Sequence, residues 1–191
     1  MLHIFYLILT LVISFCVGCT NKITQDKKME EELRHFKVKP IVFPDNMVAK
    51  VCDGTIQPDT TLLSRPSKMV VYIGKDGCTD CKLRSLLPLY MFMLESRKYK
   101  SFGMVIILNT SDQKATEKLL TGLHFRHTVF YDMDGSFERL NPHIPAGNDF
   151  HTFLLNEDNK VVLIGNPTHN EDLNNLYQAE IKKGDRGCIL L

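Results

Sequence analysis

Two cysteines separated by two residues stand where an apolar strand-like run gives way to a helix-like run. The strand-like run covers Met69 to Ile73, the turn 74–77 follows it, and the helix-like stretch covers 82–97. Cys78 would lie at the helix N-terminus, where unpaired backbone N–H groups and the helix dipole stabilise a thiolate. Cys81, one turn later, can attack a mixed disulfide formed by the first sulfur. The spacing therefore predicts a dithiol that cycles with a disulfide.

The chain begins with a continuous apolar stretch from Leu2 to Phe15. It is shorter than the roughly 20 residues of a membrane-spanning helix and is typical of an export signal. Gly18 before Cys19 resembles the lipobox of bacterial lipoproteins, which are cleaved before the cysteine and lipidated on its sulfur. Two features depart from that pattern, because Cys16 stands where Leu is usual and the first residues contain no Lys or Arg. An uncleaved signal anchor is the alternative, and both hypotheses predict an exported, membrane-tethered chain.

These features divide the chain into four predicted parts. Residues 1–18 are a signal peptide with its lipobox, and 19–45 are a tether and leading segment that is polar and charged at first. Residues 46–185 form one folded domain, and 186–191 are a C-terminal tail. Without the signal about 170 residues remain, enough for a single domain with a substantial core.

The net charge of +1 and the absence of a long basic run give no electrostatic reason to expect a nucleic-acid partner.

The periodicity of apolar residues predicts secondary-structure elements in the order β–α–β–α–β, then a hairpin, then a helix. The predicted elements are a strand at 69–73, a helix at 79–99 kinked by Pro88, a strand at 104–108, a helix at 116–124, a strand at 128–131, hairpin strands at 152–155 and 161–165, and a helix at 171–183. A short strand at 47–51 is a further candidate. Apolar strands alternating with helices predict an α/β fold with a mixed sheet covered on both faces.

The chain resembles the thioredoxin superfamily, most nearly the exported, membrane-tethered proteins of the TlpA/ResA kind. The resemblance covers about residues 62–183 and depends on two segments. They are Gly77-Cys78-Thr79-Asp80-Cys81-Lys82 after a strand, and His151-Thr152-Phe153-Leu154-Leu155 leading into the hairpin. It implies a three-layer sandwich that ends in a β-hairpin and a helix. It also implies thiol–disulfide exchange, with Cys78 as the nucleophile and Cys81 as the resolving thiol.

That resemblance extends to setting and partners. It implies a membrane-anchored protein on the periplasmic side of the bacterial cell envelope, held by a lipid on Cys19. Its substrates would be proteins or small thiols and disulfides, and the exchange needs neither a cofactor nor a metal.

One position departs from the family pattern. The proline that forms a cis peptide bond opposite the dithiol in the family aligns with Phe150. A cis bond before a non-proline residue costs about 3 kcal/mol, so we expect the Asp149–Phe150 bond to be trans. Asp149, Phe150 and His151 are the predicted substrate-binding residues, since the family's loop faces the sulfurs.

Other functions stay open at this point. A thioredoxin-like lipoprotein that only binds a partner would keep the same sequence pattern. A metal-binding chaperone could use Cys78, Cys81 and His151, because thiolates and imidazole suit copper or zinc. A peroxidase is disfavoured, since Lys75 stands where such enzymes place Thr. Cys52 and Cys188 could pair in an oxidising compartment or remain thiols.

Overall fold

The computed structural model describes residues 25–52, 54, 56–75 and 79–188, with the backbone alone at 79–80 and 186–188. Among these residues are six helices, six strands and two short 3-10 segments. The helices are α1 (25–38), α2 (Thr79–Arg84), α3 (Leu86–Ser96), α4 (Gln113–Gly122), α5 (Ser136–Leu140) and α6 (Glu171–Cys188). The strands are β1 (Val48–Lys50), β2 (Ser67–Ile73), β3 (Phe102–Leu108), β4 (Val129–Tyr131), β5 (Thr152–Leu155) and β6 (Val161–Ile164). The 3-10 segments are Thr60–Ser64 and Asn148–Phe150.

The strands form one mixed sheet in the order β1-β4-β3-β2-β5-β6. β2, β3 and β4 are parallel, and their carboxyl ends meet at one edge of the sheet. β1 pairs antiparallel with β4, while β5 and β6 form the hairpin that continues the sheet beyond β2. The predicted α/β class, mixed sheet and closing hairpin are therefore confirmed.

Each face of the sheet has its own core because successive strand residues point to opposite sides. Met69 and Val71 of β2 pack on the face covered by α2, α3, α4 and α6. Val70 and Tyr72 pack on the other face, with α5 and the segment after α1. All seven residues of β2 are buried, as expected for a central strand of a sheet with helices on both sides.

The predicted helix at 79–99 is two helices, α2 and α3, which separate at Ser85. Pro88 lies one turn after the end of α2. It has no N–H to donate and its ring crowds the carbonyl of Arg84, four residues earlier. Before Pro88, the Ser85 hydroxyl donates to the Lys82 carbonyl at 2.6 Å. Ser85 keeps right-handed helical angles (φ −68°, ψ −11°), and its N–H donates to the carbonyl of Cys81 at 3.2 Å, so the interruption is confined to one residue and agrees with the predicted kink.

Part of the predicted tether packs against the domain. Phe36 is fully buried, and its ring meets that of Phe153 edge to face at 5.2 Å. Ile41 is also buried, and its N–H donates to the carbonyl of Asn159 at 2.8 Å. The packed region therefore begins before residue 46, where the sequence analysis starts the folded domain.

The short helix α5 has no counterpart in the sequence analysis. Asp132, directly after β4, accepts hydrogen bonds from the N–H groups of Ser136 at 2.9 Å and Phe137 at 3.0 Å. These bonds satisfy two N–H groups at the start of a helix of five residues, while Phe137 is buried in the core. α5 thus depends on a side chain four residues upstream.

Within the described residues, no helix combines the length and the apolar character needed to cross a lipid bilayer. The predicted signal peptide, the lipobox and Cys19 lie outside the described residues.

Candidate active site

An open cleft of about 460 Å³ lies at the edge of the sheet where the parallel strands end. Its walls come from the end of β2, the α2–α3 segment, the loop before β5 and the loop before α6. Cys81, Asp149 and His151 all line it, so the structure brings together three of the residues predicted for the site. This edge is where α/β sheets place reactive groups, because loops and helix N-termini converge there.

Cys81 lies in the first turn of α2, and it is exposed to solvent at the cleft. α2 begins at Thr79, as predicted for a helix that starts with the dithiol motif. Cys78 lies outside the described residues, so its predicted role as nucleophile stays a prediction. Lys82 and Ser85 continue the same wall of the cleft.

The loop before β5 is attached to β2 by its backbone. It forms the 3-10 segment Asn148–Phe150, preceded by Gly147 with φ of 114°, a value that favours glycine. The N–H of Tyr72 donates to the carbonyl of His151 at 2.8 Å. The described residues contain no cis peptide bond, so the trans Asp149–Phe150 bond is confirmed. The loop is thus held next to α2 without the proline that the family uses.

His151 is half-buried in the cleft wall. Its ring meets the Tyr72 ring edge to face, with centroids 5.3 Å apart. Burial lowers the pKa of His151 below 6.5, the charge of Lys82 lowers this pKa further, and Glu138 partly opposes the effect. The imidazole is therefore neutral at pH 7, with a ring nitrogen able to accept a proton.

The three predicted substrate-binding residues are placed differently. Asp149 and His151 line the cleft, whereas Phe150 is half-buried and packs against the core that contains Phe36 and Phe137. Its ring lies over Gly147, where an added Cβ would contact Phe150 Cδ2 at 3.7 Å. Phe150 therefore supports the loop from beneath rather than facing the cleft.

The loop before α6 supplies the outer wall and was not identified from the sequence. Asn166 and His169 line the cleft, and their side-chain nitrogens lie 3.3 Å apart. The N–H of Gly165 donates to the carbonyl of Thr152 at 2.7 Å, which fixes the start of this loop beside the 148–151 loop. The sequence feature that could have indicated this wall is the polar run Asn166 to Asn170 directly after the hairpin. The end of β6 lies beside the start of β5, so the residues that follow β6 lie next to the 148–151 loop.

Tyr72 adds a buried hydroxyl behind His151. Burial raises the pKa of Tyr72 to about 12, with smaller contributions in the same direction from the charges of Glu138 and Asp132. The phenol therefore remains protonated at neutral pH and cannot act as a base. Its ring packs against that of Phe137 at 5.1 Å, which fixes the surface on which His151 rests.

Two further hypotheses concern Cys52 with Cys188 and a metal site. Cys52 is half-buried and packs against the core at the far side of the sheet from the hairpin, and the side chain of Cys188 is not among those described. No group of three or more His, Cys, Asp or Glu side chains within the described ranges is arranged to hold a metal ion.

No protein-family model matches the sequence, and no curated protein matches it either. Solved structures do resemble the fold. A proposed protein disulfide isomerase from Bacteroides thetaiotaomicron is 15% identical, with a TM-score of 0.50 over 75% of this chain and 87% of the other. A proposed thiol:disulfide interchange protein, DsbE, from Chlorobium tepidum is 21% identical, with a TM-score of 0.48 over 62% of this chain and 82% of the other. StoA from Bacillus subtilis is 16% identical, with a TM-score of 0.44 over 56% of this chain and 79% of the other.

At these identities the likeness concerns the fold. The three-layer arrangement, the mixed sheet and the closing hairpin match what the sequence predicted from its TlpA/ResA-type resemblance. We conclude that this chain has the thioredoxin-like fold.

Proposed function

We propose that the protein is a thiol–disulfide oxidoreductase of the bacterial cell envelope that uses Cys78 and Cys81. The observation that carries the proposal is that Cys81 is exposed in the first turn of α2 and shares an open cleft with His151. Cys81 follows the predicted nucleophile Cys78 by three residues, the spacing at which a second thiol can attack a mixed disulfide formed by the first.

The proposed exchange conserves atoms and electrons. The Cys78 thiolate attacks one sulfur of a substrate disulfide, and the other substrate sulfur leaves as a thiolate that takes up a proton. The Cys81 thiolate then attacks Cys78 Sγ, which forms the Cys78–Cys81 disulfide and releases the second substrate thiolate. Two electrons pass to the substrate, and an external dithiol reductant must restore the pair. The reverse sequence oxidises a substrate dithiol.

His151 would assist by holding a proton. Its neutral imidazole lines the same cleft as Cys81 and can accept the proton of a thiol as the thiolate forms. Lys82 lies close enough to lower the pKa of His151, and its positive charge would also favour thiolates in the cleft. Asp149 and the polar loop at 166–170 would contact the polypeptide that carries the substrate disulfide.

The decisive experiment measures reduction of insulin or glutathione disulfide by the full-length protein with dithiothreitol as electron donor. Cys78→Ser should lower turnover to the rate with dithiothreitol alone. Cys81→Ser, incubated with glutathione disulfide without dithiothreitol, should stop at a covalent mixed disulfide that mass spectrometry detects. Cys52→Ser is the matched control, because this thiol lies outside the cleft, and it should leave turnover unchanged. Turnover that persists in Cys78→Ser would rule out the dithiol mechanism.

We further propose that a lipid on Cys19 holds the domain at the membrane. Support comes from the sequence alone, in the apolar stretch that ends at Gly18 and Cys19. Metabolic labelling with a palmitate analogue should mark the wild-type protein and fail to mark Cys19→Ser. Absence of label from the wild-type protein would favour the alternative, an uncleaved signal anchor, and labelling of Cys19→Ser at the wild-type level would show that the lipid is attached elsewhere.

A further inference from the structure

A second cavity, of about 370 Å³, lies at the edge of the sheet opposite the cleft, where the parallel strands begin. Its walls are the 3-10 segment at Thr60–Ser64 with Arg65, the end of α3, the first residues of β3 and the segment before β4. Its size falls in the range of small-molecule sites. No part of the proposed thiol exchange uses it.

Basic side chains are concentrated in this cavity. Arg65, Arg97, Lys100 and Arg126 line it, and Asp59 is the one carboxylate among its described lining residues. The chain as a whole has 23 Lys and Arg against 22 Asp and Glu, so this local excess is not a property of the whole surface. A concave site with such an excess attracts anions.

Arg65 is held in position with donor capacity to spare. Its stem lies across Gly103 of β3, where an added Cβ would meet Arg65 Cγ at 2.9 Å. One terminal nitrogen donates to the carbonyl of Lys100 at 2.6 Å. Arg65 Nε is buried and has no hydrogen-bond acceptor among the described residues. The guanidinium has five N–H donors in a fixed fork, and its side chain is about one-third exposed, so terminal N–H groups are left for an oxygen-bearing ligand.

Asp59 does not accept a hydrogen bond from the Arg65 guanidinium. Its Oδ1 already accepts hydrogen bonds from the backbone N–H of Thr61 at 3.0 Å and from the Thr61 hydroxyl at 2.6 Å. Its Oδ2 lies 3.7 Å from Arg65 Nη2, a distance that allows ion pairing but exceeds a hydrogen bond. Asp59 thus neutralises one of several positive charges.

The floor of the cavity is apolar. Leu62, Met93 and Phe102 are buried there, beside the buried ring of His127. His127 Nε2 lies 2.6 Å from the carbonyl oxygen of Met104, so this nitrogen carries the proton and donates it. Because burial lowers the pKa of His127, the ring adds no charge at pH 7. The site therefore combines a basic rim with a neutral, apolar base.

We propose that this cavity binds a small organic anion whose carboxylate or phosphate group contacts Arg65 and Arg97 while its short apolar body rests on Leu62 and Met93. The inference does not depend on the dithiol chemistry, because the two cavities lie at opposite edges of the sheet.

The test is calorimetric titration of the full-length protein with n-butyl phosphate and, separately, inorganic phosphate. Butyl phosphate should bind more tightly than inorganic phosphate, because only the former reaches the apolar floor. Arg65→Gln and Arg97→Gln should each weaken binding by about tenfold or more, the effect of losing a charge-assisted hydrogen bond. Lys114→Gln is the matched control, since Lys114 is exposed on α4 and does not line the cavity.

Absence of binding, or equal affinity in Arg97→Gln and Lys114→Gln, would overturn the proposal. Equal affinity for the two phosphates would overturn the role of the apolar floor. Arg97 is exposed, so its substitution keeps the test valid if Arg65→Gln fails to fold. Competition with dihexanoyl-phosphatidylglycerol distinguishes the sources of the anion. Displacement of butyl phosphate assigns the site to a lipid headgroup, and failure to displace it assigns the site to a free small anion.

Discussion

The backbone N–H of Tyr72 donates to the backbone carbonyl of His151 at 2.8 Å, and the two rings meet edge to face 5.3 Å apart. This double contact joins the C-terminal end of the buried strand β2 to the loop opposite Cys81. It keeps the imidazole at the cleft wall, where burial and Lys82 act on its proton affinity.

The first prediction concerns the pKa of His151. An NMR titration of its ring protons should give a pKa below 6.5, since burial and the charge of Lys82 both disfavour the imidazolium. Lys82→Gln should raise this pKa but leave it below 6.5, because burial is the larger cause. Lys114→Gln should not move it. A His151 pKa at or above 6.5 in the wild type would contradict the environment described here.

The second prediction concerns stability and pH. The pKa of buried His127 is lowered in the folded state, so below 6.5 the unfolded chain binds more protons than the folded one. The free energy of unfolding should therefore be greatest above pH 6.5 and should fall as the pH decreases toward the folded-state pKa. His127 can contribute at most about 1.4 kcal/mol per pH unit.

Urea unfolding at several pH values between neutrality and the carboxylate range measures this slope. His127→Gln should flatten it, because the uncharged amide can still donate to the Met104 carbonyl but does not titrate. Asn175→Gln, at an exposed position of α6, changes no titratable group and should leave the slope unchanged. A slope unaffected by His127→Gln would assign the effect to other groups.

The third prediction concerns the contact between β3 and Arg65. Gly103→Ala should lower the free energy of unfolding by about 1–3 kcal/mol, because its Cβ would meet Arg65 Cγ at 2.9 Å and Leu62 Cδ2 at 3.1 Å. Gly122→Ala is the matched control, since nothing lies within 4 Å of its added Cβ at the end of α4. It should be neutral or stabilising by up to about 1 kcal/mol. Equal effects of both substitutions in chemical denaturation would argue against the close approach.

The fourth prediction concerns the docking of the segment after α1. The Asn141 side chain accepts from Val42 N–H at 2.8 Å and donates to the carbonyls of Val42 at 2.8 Å and Phe137 at 2.7 Å. Asn141→Ala should destabilise the fold by about 1–3 kcal/mol, because it leaves buried polar groups unsatisfied. It should also speed proteolysis near residue 42.

Asn141→Asp keeps the acceptor but removes both donors, so its effect should be similar or larger. Asn175→Ala, at an exposed position of α6, should cause no loss because Ala is the better helix former. If limited proteolysis of Asn141→Ala matches that of the wild type, the side chain does not hold this segment.

Sequence reasoning succeeded where a pattern was local and long. The apolar runs 69–73 and 104–108 became β2 and β3, and turn residues between two apolar runs correctly indicated the hairpin of β5 and β6. Sequence reasoning failed where an element depends on contacts with residues outside that element. Helix α5 is only five residues long and takes its cap from Asp132, so no periodicity could reveal it.

The candidate site shows the same division. Cys81, Asp149 and His151 were predicted from a motif and an alignment, and they line one cleft. The wall formed by Asn166 and His169 was missed, since its position depends on the register of β5 with β6 and on the Gly165–Thr152 hydrogen bond. Likewise the basic cavity joins residues 65, 97, 100 and 126, which only the sheet brings together.

The sheet ends in two brief outer strands, β1 with three residues and β6 with four. Each presents few unpaired backbone groups to another molecule, which leaves little template for edge-to-edge growth of the sheet. Concentrated solutions of the folded protein should for this reason resist conversion to amyloid-like aggregates.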